Sequence, residues 1–419
     1  MKIPFQSPAR KLTVFAVALV LSTAYFAEVT RELVASWLGN RVNLKSLQYA
    51  ARLDPENADY RDHLGRYYAL VARDPVSAVG YYRAAVQLNS HSARYWFDLA
   101  SAYQVLGDVA NQTGALERAI DADSMTPDVA WEAANLYLVQ GQNAKALREF
   151  RVVMANDFSL ADSAVRLCWH IDPDVDSLLR DVVPHSATAY IAFLSLLETQ
   201  PVDAGTSKVW TALIDSHEHF ELRYLTEYIQ FLIKHKEVDE AVMAWQQAVP
   251  QFGLTEYLPS SKNLIVNPRF SLEVLNGGFD WHYVKQSGVT LTLDPGDFHA
   301  GRRSLLIAFD GPGIDDAGIY QLVAVQPNTT YDFSAYYKNG ELTEGAGGPH
   351  LVIQDMYTQA VYYNSDELRD SSFWKSVDGE FTTGPDCKLV MLHVRRIPAG
   401  SPIRGKLWID DFHLTPKPS

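Results

Sequence analysis

Residues 94–120, RYWFDLASAYQVLGDVANQTGALERAI, decide the fold of the first half of the chain, because their pattern returns in residues 131–150, WEAANLYLVQGQNAKALREF. Three pairs of residues repeat at a spacing of 34, namely Gly107/Gly141, Tyr103/Tyr137 and Leu116/Phe150. One unit earlier the spacing is 34 or 35, as for Tyr82/Leu116 and Tyr68/Tyr103. A period of this length predicts stacked helix–turn–helix units, since one such unit cannot bury its own apolar face.

The repeated positions have the chemistry that helix packing needs. Ala100 and Ala119 let neighbouring helices approach closely, and glycine at 107 and 141 suits a helix end. The pattern resembles the tetratricopeptide family, whose patterned positions are here Trp96, Leu99, Ala100, Tyr103, Gly107, Leu116 and Ala119. The sequence thus predicts clear repeats over residues 41–157 and degenerate helical repeats over residues 158–250.

Two dipeptides indicate helix starts within the repeats. Asp74-Pro75 and Thr126-Pro127 each place a capping side chain before a proline, which is suited to a first helical turn. We expect both side chains to cap their helices.

The tetratricopeptide resemblance implies a concave groove lined by the first helix of each unit. The groove candidates for a protein partner lie at helical spacing and are Arg66, Arg94, Phe97, Gln104, Trp131 and Asn135. Arginine and aromatic side chains are enriched where proteins bind one another. The alternative interpretation is a solvated helix face with packing aromatics.

The amino terminus, residues 1–40, predicts a cytoplasmic stub and a membrane anchor. Lys2, Arg10 and Lys11 precede an apolar run at residues 12–27, which is LTVFAVALVLSTAYFA. Positive charge before such a run favours export of the chain beyond the run. We expect a single-pass inner-membrane anchor with the rest of the chain periplasmic; the alternative is a cleaved signal peptide, with Ser22 and Ala24 at the cleavage site.

Residues 263–415 predict an antiparallel β-sandwich after a linker at residues 251–262, with a tail at 416–419. Six segments alternate apolar and polar residues over strand lengths. They are VTLTLD (289–294), SLLIAFD (304–310), YDFSAYYK (331–338), HLVIQDMY (350–357), KLVMLHVRR (388–396) and KLWIDDFHL (406–414). The fold class is therefore multidomain: a helical tetratricopeptide-like solenoid, then a jelly-roll sandwich, with one amino-terminal transmembrane helix.

The sandwich resembles carbohydrate-binding modules of the jelly-roll kind that accompany cellulases and xylanases. The resemblance is carried in order by NLIVNPRF (263–270), Trp281, GRRSLLI (301–307), QLVAVQPNTTYDFSAYYK (321–338), FWKSVDGEFTT (373–383) and LWIDDF (407–412). A sugar site needs aromatic faces and polar side chains. The candidates for glycan binding are Trp281, Tyr283, Tyr336, Gln354, Tyr357, His393 and Arg395.

The same resemblance implies a structural calcium ion, for which Glu273 and Asp410 are the candidate ligands. This sequence has Pro268-Arg269 where the family commonly has glycine and a small or acidic residue. We expect no other cofactor.

Several function classes are disfavoured by composition and by missing motifs. The net charge of −14 disfavours a nucleic-acid partner, and two cysteines allow no disulfide framework. The sequence has no Gly-rich phosphate loop, G-x-S-x-G, H-E-x-x-H or C-x-x-C motif. We therefore expect a non-catalytic envelope scaffold that binds a protein through the repeats and a glycan through the sandwich, as an accessory to exopolysaccharide or cell-wall assembly. The alternatives are a glycan-binding protein with the repeats as a spacer, a sandwich that docks proteins, and a polysaccharide hydrolase.

Overall fold

The computed structural model describes residues 8–200, 205–343, 347–369 and 371–417. The chain divides into two compact units, Met1–Leu196 and Leu197–Ser419. The second unit includes the last three helices together with the β-sandwich. The domain limits inferred from the sequence, at residues 40, 157, 250 and 262, stay a prediction.

The described residues contain 14 α-helices, which precede all of the strands. They are α1 Pro8–Gly39, α2 Leu44–Leu53, α3 Ala58–Arg66, α4 Pro75–Leu88, α5 Ala93–Leu106, α6 Val109–Ala122, α7 Pro127–Val139, α8 Asn143–Asn156, α9 Ala161–Ile171, α10 Val175–Asp181, α11 Ala187–Leu197, α12 Thr206–Asp215, α13 Leu222–Lys234 and α14 Val238–Ala248.

Helix α1 is long and apolar enough to cross a membrane. It has 32 residues, and its most apolar 18-residue window has a mean hydropathy of 1.9 and is not buried by the protein. At about 1.5 Å per residue, such a helix exceeds a bilayer core of about 30 Å. Near its end, Ala35 and Gly39 are buried, and a Cβ on Gly39 would lie 2.3 Å from the Tyr60 ring. The end of α1 therefore packs closely on α3.

The helix starts reproduce the repeat seen in the sequence. Helices α4, α6 and α8 begin at residues 75, 109 and 143, so each start follows the previous one by 34 residues. Gly107 ends α5 at φ +71°, and Gly141 has the same φ just after α7, as expected for left-handed helix ends. The predicted helical region is confirmed.

One of the two expected caps is present. The Asp74 side chain accepts a hydrogen bond from the Ser77 backbone N–H at 3.1 Å. Helix α7 does begin at Pro127, but the Thr126 side chain makes no capping bond. Instead the Thr126 N–H donates to Asp123 Oδ1 at 3.1 Å, so the preceding loop forms its own turn. The expectation of a Thr126 cap is wrong.

Within the described ranges, ten strands form two antiparallel sheets of five strands each. They are β1 Trp281–Tyr283, β2 Val289–Asp294, β3 Ser304–Gly313, β4 Asp316–Ala324, β5 Thr330–Thr343, β6 Gly348–Asp355, β7 Val361–Asn364, β8 Lys375–Thr382, β9 Leu389–Ile397 and β10 Pro402–Pro416. The first sheet has the order β1-β4-β9-β6-β7 and the second β2-β3-β10-β5-β8. The predicted sandwich is confirmed, since all six quoted segments form strands.

An amide in the core holds the segment that enters the sandwich. The Gln321 side chain on β4 is fully buried. Its Oε1 accepts the Val266 N–H at 3.0 Å, and its Nε2 donates to the Val266 carbonyl at 2.8 Å. Because Val266 belongs to no strand, this pairing satisfies backbone groups that burial would otherwise leave without partners.

Within the second unit, α13 and α14 pack against the sandwich. The Trp245 Nε1–H of α14 donates to the Tyr257 carbonyl at 3.1 Å, and its ring lies 6.1 Å from that of Phe279. A Cβ on Gly278 would lie 2.0 Å from the Trp245 ring, so only glycine fits there. The Tyr357 hydroxyl donates to the Ile233 carbonyl of α13 at 2.8 Å.

The residues proposed as calcium ligands have other partners. The Glu273 side chain is 80% exposed, and its Oε1 lies 2.9 Å from Arg303 Nη2. Asp410 is buried, and its Oδ2 accepts the N–H groups of His299 and Ala300 at 2.8 and 2.9 Å. The described residues include no group of three or more His, Cys, Asp and Glu side chains that could hold a metal ion. These residues do not fit a calcium site.

An arginine provides positive charge next to Asp410. Arg269 Nε donates to Asp411 Oδ1 at 2.7 Å. Burial raises the pKa of the Asp411 carboxyl, but the bond and charge of Arg269, together with His413 and His299, leave this pKa below its ordinary value. The guanidinium thus joins the segment before β1 to β10 without a metal.

The repeat packing predicts opposite effects for two glycine substitutions. A Cβ on Gly65 of α3 would lie 2.6 Å from the Tyr82 ring of α4, so Gly65→Ala is expected to lower the free energy of unfolding by about 1–3 kcal/mol. Gly80 of α4 has nothing within 4 Å of its Cβ position, so Gly80→Ala is expected to raise it by about 0.5–1 kcal/mol. Urea unfolding followed by circular dichroism measures both. Equal effects would contradict this helix packing.

The Arg269–Asp411 bond predicts a sandwich that is stable without metal. We expect EDTA to leave the thermal unfolding midpoint unchanged. Arg269→Ala is expected to lower the unfolding free energy by about 1–3 kcal/mol, because Asp411, only 10% exposed, loses its cation. The control is Arg302→Ala, at an exposed arginine nearby. A fall in the midpoint with EDTA that calcium reverses would show a metal site after all.

Candidate functional site

The outer face of the first sheet carries a row of polar and aromatic side chains. Strand alternation buries Ile319, Leu392 and Ile353 in the core and turns the intervening residues outward. The register aligns five residues across the sheet, in the order His282, Tyr320, His393, Val352 and Asn364. The row thus places rings or hydrogen-bonding groups from β1, β4, β9 and β7 on one surface, with the buried Val352 of β6 between them.

His282 and Tyr320 form a stacked pair at one end of this row. Their ring centroids are 4.8 Å apart, with an interplanar angle of 10°. His282 Nε2 lies 2.9 Å from the Gly278 carbonyl oxygen, to which its N–H donates. Burial lowers the pKa of His282, and burial likewise raises the pKa of the Tyr320 hydroxyl. Both rings are therefore uncharged at neutral pH.

His393 offers a free ring nitrogen next to Tyr320. Its Nδ1 lies 2.6 Å from Asp316 Oδ2, which fixes the ring. The residue is only 6% exposed, and among the described residues its Nε2 is buried without a hydrogen-bond partner. A buried polar atom of this kind calls for a partner, such as a water or a ligand hydroxyl.

A cavity opens between α13 and the β1–β4 edge of the first sheet. Its volume is about 470 Å³, within the range of about 300–1,000 Å³ found for small-molecule sites. Its aromatic lining is His282, Tyr283 and Tyr320; its polar lining is Thr226, Glu227, Gln230, Lys234 and Asn276; and its apolar lining is Ile229, Ile233, Val284, Leu322 and Met356, with Gly277 and Gly278. We call this space the α13 cavity.

Six of the predicted glycan residues lie on the first sheet or just after one of its strands, but only Tyr283 lines the cavity. Tyr283 is 51% exposed at the cavity wall. Arg395 lies on the same face of β9 as His393. Gln354 is buried, and the Tyr357 hydroxyl is engaged by α13.

Neither Trp281 nor Tyr336 lies on the outer face of the first sheet. Trp281 is 1% exposed in the core, where it packs on Phe270 and Phe412 at 4.9 and 5.0 Å. It cannot offer a face to a sugar, so its assignment to glycan binding is wrong. Tyr336 lies on β5 of the second sheet, away from the other candidates.

The predicted groove residues of the helical unit include an ion-pair cluster. Arg66 Nη2 lies 2.6 Å from Asp98 Oδ2, and Arg94 Nη2 lies 3.1 Å from Asp62 Oδ2. Burial, together with the neighbouring Asp98, raises the pKa of Asp62 to about 7 against the opposing charges of Arg66 and Arg94. A cavity of about 520 Å³ beside the cluster is lined in part by Arg66, Asp98 and Ser101.

The other groove candidates are less accessible to a partner protein than Arg66 and Arg94. Phe97 is only 7% exposed, so it packs in the helical core and its assignment to the groove is wrong. Trp131 packs edge-on against Phe150 at 5.6 Å, and its carbonyl accepts the Asn135 side-chain amide at 2.8 Å. Gln104 is half-buried on α5. The structure thus brings Arg66 and Arg94 together.

Sequence reasoning missed His282, Tyr320 and Asp316. The alternation along β4 carried the missing signal, because Ile319 and Gln321 face the core and so turn Tyr320 to the outer face. No such signal exists for α13, because the sequence does not show where a helix packs.

Comparisons with known proteins identify the type of the β-domain. Residues 262–398 match the family model described as "Carbohydrate binding domain", which is less than half of the chain. No curated protein sequence matches the chain.

Three solved structures are among those that the chain is similar to. One, described as "CBM4 structure and function", is 18% identical, with 36% of this chain and 99% of that chain covered at a TM-score of 0.29. The CBM22-1 xylan-binding domain of Xyn10C from Paenibacillus barcinonensis is 14% identical, with 36% and 92% covered at a TM-score of 0.26. A crystal structure of MamA is 18% identical, with 41% and 85% covered at a TM-score of 0.25. The match of residues 262–398, rather than these structures, makes the carboxyl-terminal sandwich similar to carbohydrate-binding domains.

Proposed function

We propose that this protein is a membrane-anchored, non-catalytic binding protein of the cell envelope, whose sandwich binds a glycan in the α13 cavity. The match of residues 262–398 to a carbohydrate-binding domain carries the proposal. The cavity adds the chemistry, because it combines stacked rings with amide, carboxylate and ammonium groups. Aromatic faces pack on the apolar faces of sugars, and the polar groups meet their hydroxyls.

The cavity restricts the size of the ligand. Since α13 closes one side of it, an end or a short segment of a glycan fits better than the middle of a long chain. Glu227 and Lys234 on α13 place both signs of charge in the lining. The site therefore selects by shape and hydrogen bonding rather than by a single strong charge.

The helical unit supports a scaffold role in this proposal. The cavity beside Arg66 and Asp98 is suited to a segment of a partner protein, since arginine and exposed apolar side chains are frequent in such contacts. Leu70 and Val105 in its lining are 76% and 74% exposed. We propose an envelope protein as the partner and assembly of exopolysaccharide or cell wall as the setting.

Helix α1 supports an anchored, extracytoplasmic arrangement. Its apolar run follows Arg10 and Lys11, and positive charge on that side favours retention of the amino terminus in the cytoplasm. Both binding units would then lie in the periplasm. The same proposal includes an anchor that is not cleaved. It also includes tetratricopeptide-like repeats that bind a partner protein.

Glycan binding is tested with the full chain in lipid nanodiscs. We expect calorimetric titration with neutral and acidic oligosaccharides to detect binding to at least one class. Tyr283→Ala is expected to weaken it about fivefold, because the variant loses an aromatic wall that is worth about 1 kcal/mol. The matched control is Tyr49→Ala, at a tyrosine of similar exposure, 58%, in the helical unit. Wild-type protein that binds no oligosaccharide would refute the proposed ligand class.

Membrane orientation is tested with reporters fused to the carboxyl terminus. We expect a phosphatase that folds only outside the cytoplasm to be active in this fusion, because the charge before the apolar run directs the chain outward. The full-length fusion should remain in the membrane fraction after carbonate washing. An active cytoplasmic reporter at the same position would overturn the extracytoplasmic assignment.

A further inference from the structure

A group of aromatic rings lies on the second sheet, opposite to the α13 cavity. We call it the aromatic platform and define it as Tyr336, Trp408, His299 and Trp374. Tyr336 on β5 and Trp408 on β10 share the outer face, since their strand neighbours Ala335, Tyr337, Leu407 and Ile409 are buried in the core. The register places Trp408 opposite Lys338 and Tyr336 opposite Asp410, so the two rings are diagonal neighbours.

Loops bring His299 against Tyr336 and Trp374 next to His299. The rings of His299 and Tyr336 stack with centroids 3.6 Å apart at 11°, and Trp374 lies 5.9 Å from His299. Asp410 Oδ2 accepts the His299 backbone N–H at 2.8 Å, and Asp411 Oδ2 lies 3.1 Å from His299 Nδ1. Contacts from two carboxylates therefore fix the ring that stacks on Tyr336.

Trp408 is also held in place. Its Nε1–H donates to Asp294 Oδ2 at 2.8 Å. Lys338 Nζ lies 5.6 Å from the Trp408 ring centroid and forms an ion pair with Asp297. Rings held in this way lose little conformational entropy on binding, so a ligand can gain nearly the full contact energy.

The rings are not hidden in the core. Tyr336, Trp374 and Trp408 are partly exposed, and two aromatic residues flank the platform, Phe373 with 81% and Phe298 with 41% of their surfaces exposed. Packing alone does not explain aromatic residues that remain in contact with water. Clustered exposed apolar surface of this kind marks binding sites.

The surroundings indicate which ligand suits the platform. Lys338 and Asp297 beside the rings form an ion pair with each other, so these two groups offer little attraction to a charged ligand. Ser334 and Ser376 lie near Tyr336 in the register and supply small hydroxyls. Flat rings beside hydroxyl groups match an uncharged sugar, which has an apolar face and hydroxyl edges.

We propose that the aromatic platform is a second carbohydrate site, which takes the flat face of an uncharged glycan chain. It rests on the proposed function in one respect, namely that the sandwich binds carbohydrate. It differs in place, because the α13 cavity belongs to the first sheet. It also differs in ligand, because an open sheet face accommodates the middle of a chain and the cavity an end.

The test uses the full chain in nanodiscs and four probes: cellohexaose, xylohexaose, laminarihexaose and a polyproline peptide. We expect at least one neutral hexasaccharide to bind and to quench tryptophan fluorescence. Trp374→Ala and Tyr336→Ala are each expected to weaken that binding about tenfold. Tyr49→Ala, at an exposed tyrosine of the helical unit, is the matched control and should leave this affinity unchanged.

The outcomes separate this proposal from the previous one. If Tyr283→Ala abolishes all glycan binding and both platform variants bind normally, the platform is refuted and the cavity stands. If only the platform variants lose hexasaccharide binding, the platform is supported, and the cavity is decided by its own titration with Tyr283→Ala. If no glycan binds the wild type, or only polyproline does, both proposals fail. Thermal unfolding of each variant must match the wild type, and Trp374→Phe should restore most of the affinity.

Discussion

The pairing of the Gln321 amide with both backbone groups of Val266 is the constraint on which the rest of the sandwich depends. A chain segment outside any strand enters the core there, and its polar groups must find partners because water is excluded. Once Val266 is fixed, Arg269 comes within reach of Asp411, and Asp411 in turn contacts His299. The stacking of His299 on Tyr336 thus depends on an interaction inside the core.

The two sheets present their outer faces in different ways. Helix α13 covers part of the first sheet, which creates a partly enclosed space with His282 and Tyr320 in its lining and a lower local dielectric. Hydrogen bonds made there are stronger, but each unpaired group costs more. The second sheet holds its rings by contacts at their edges and leaves them partly exposed. The outer face of the first sheet therefore favours selective hydrogen bonding to a ligand, and the outer face of the second sheet favours a large contact area.

Much of the architecture could be predicted from the sequence, whereas the site could be predicted only in part. The 34-residue period gave the helix starts, and alternation gave the strands, because both reflect local geometry. Alternation also placed His393 and Arg395 on an outer face. It could not separate Trp281 from Tyr336, because β1 has only three residues, too few for alternation to show that Trp281 faces the core. Nor could it show that Arg269 reaches Asp411, a contact across 142 residues.

The fit of Trp245 against Gly278 bears on how this β-domain can be inherited. A tryptophan from the last helix fills a space that any side chain at position 278 would occupy. A fragment that begins at the first strand would expose the apolar surface around Gly278 to water. Such a fragment would be prone to aggregate. Recombination that moves this domain to another protein should therefore transfer α13 and α14 with it. The unit that folds would then begin upstream of residues 262–398, which match the family model.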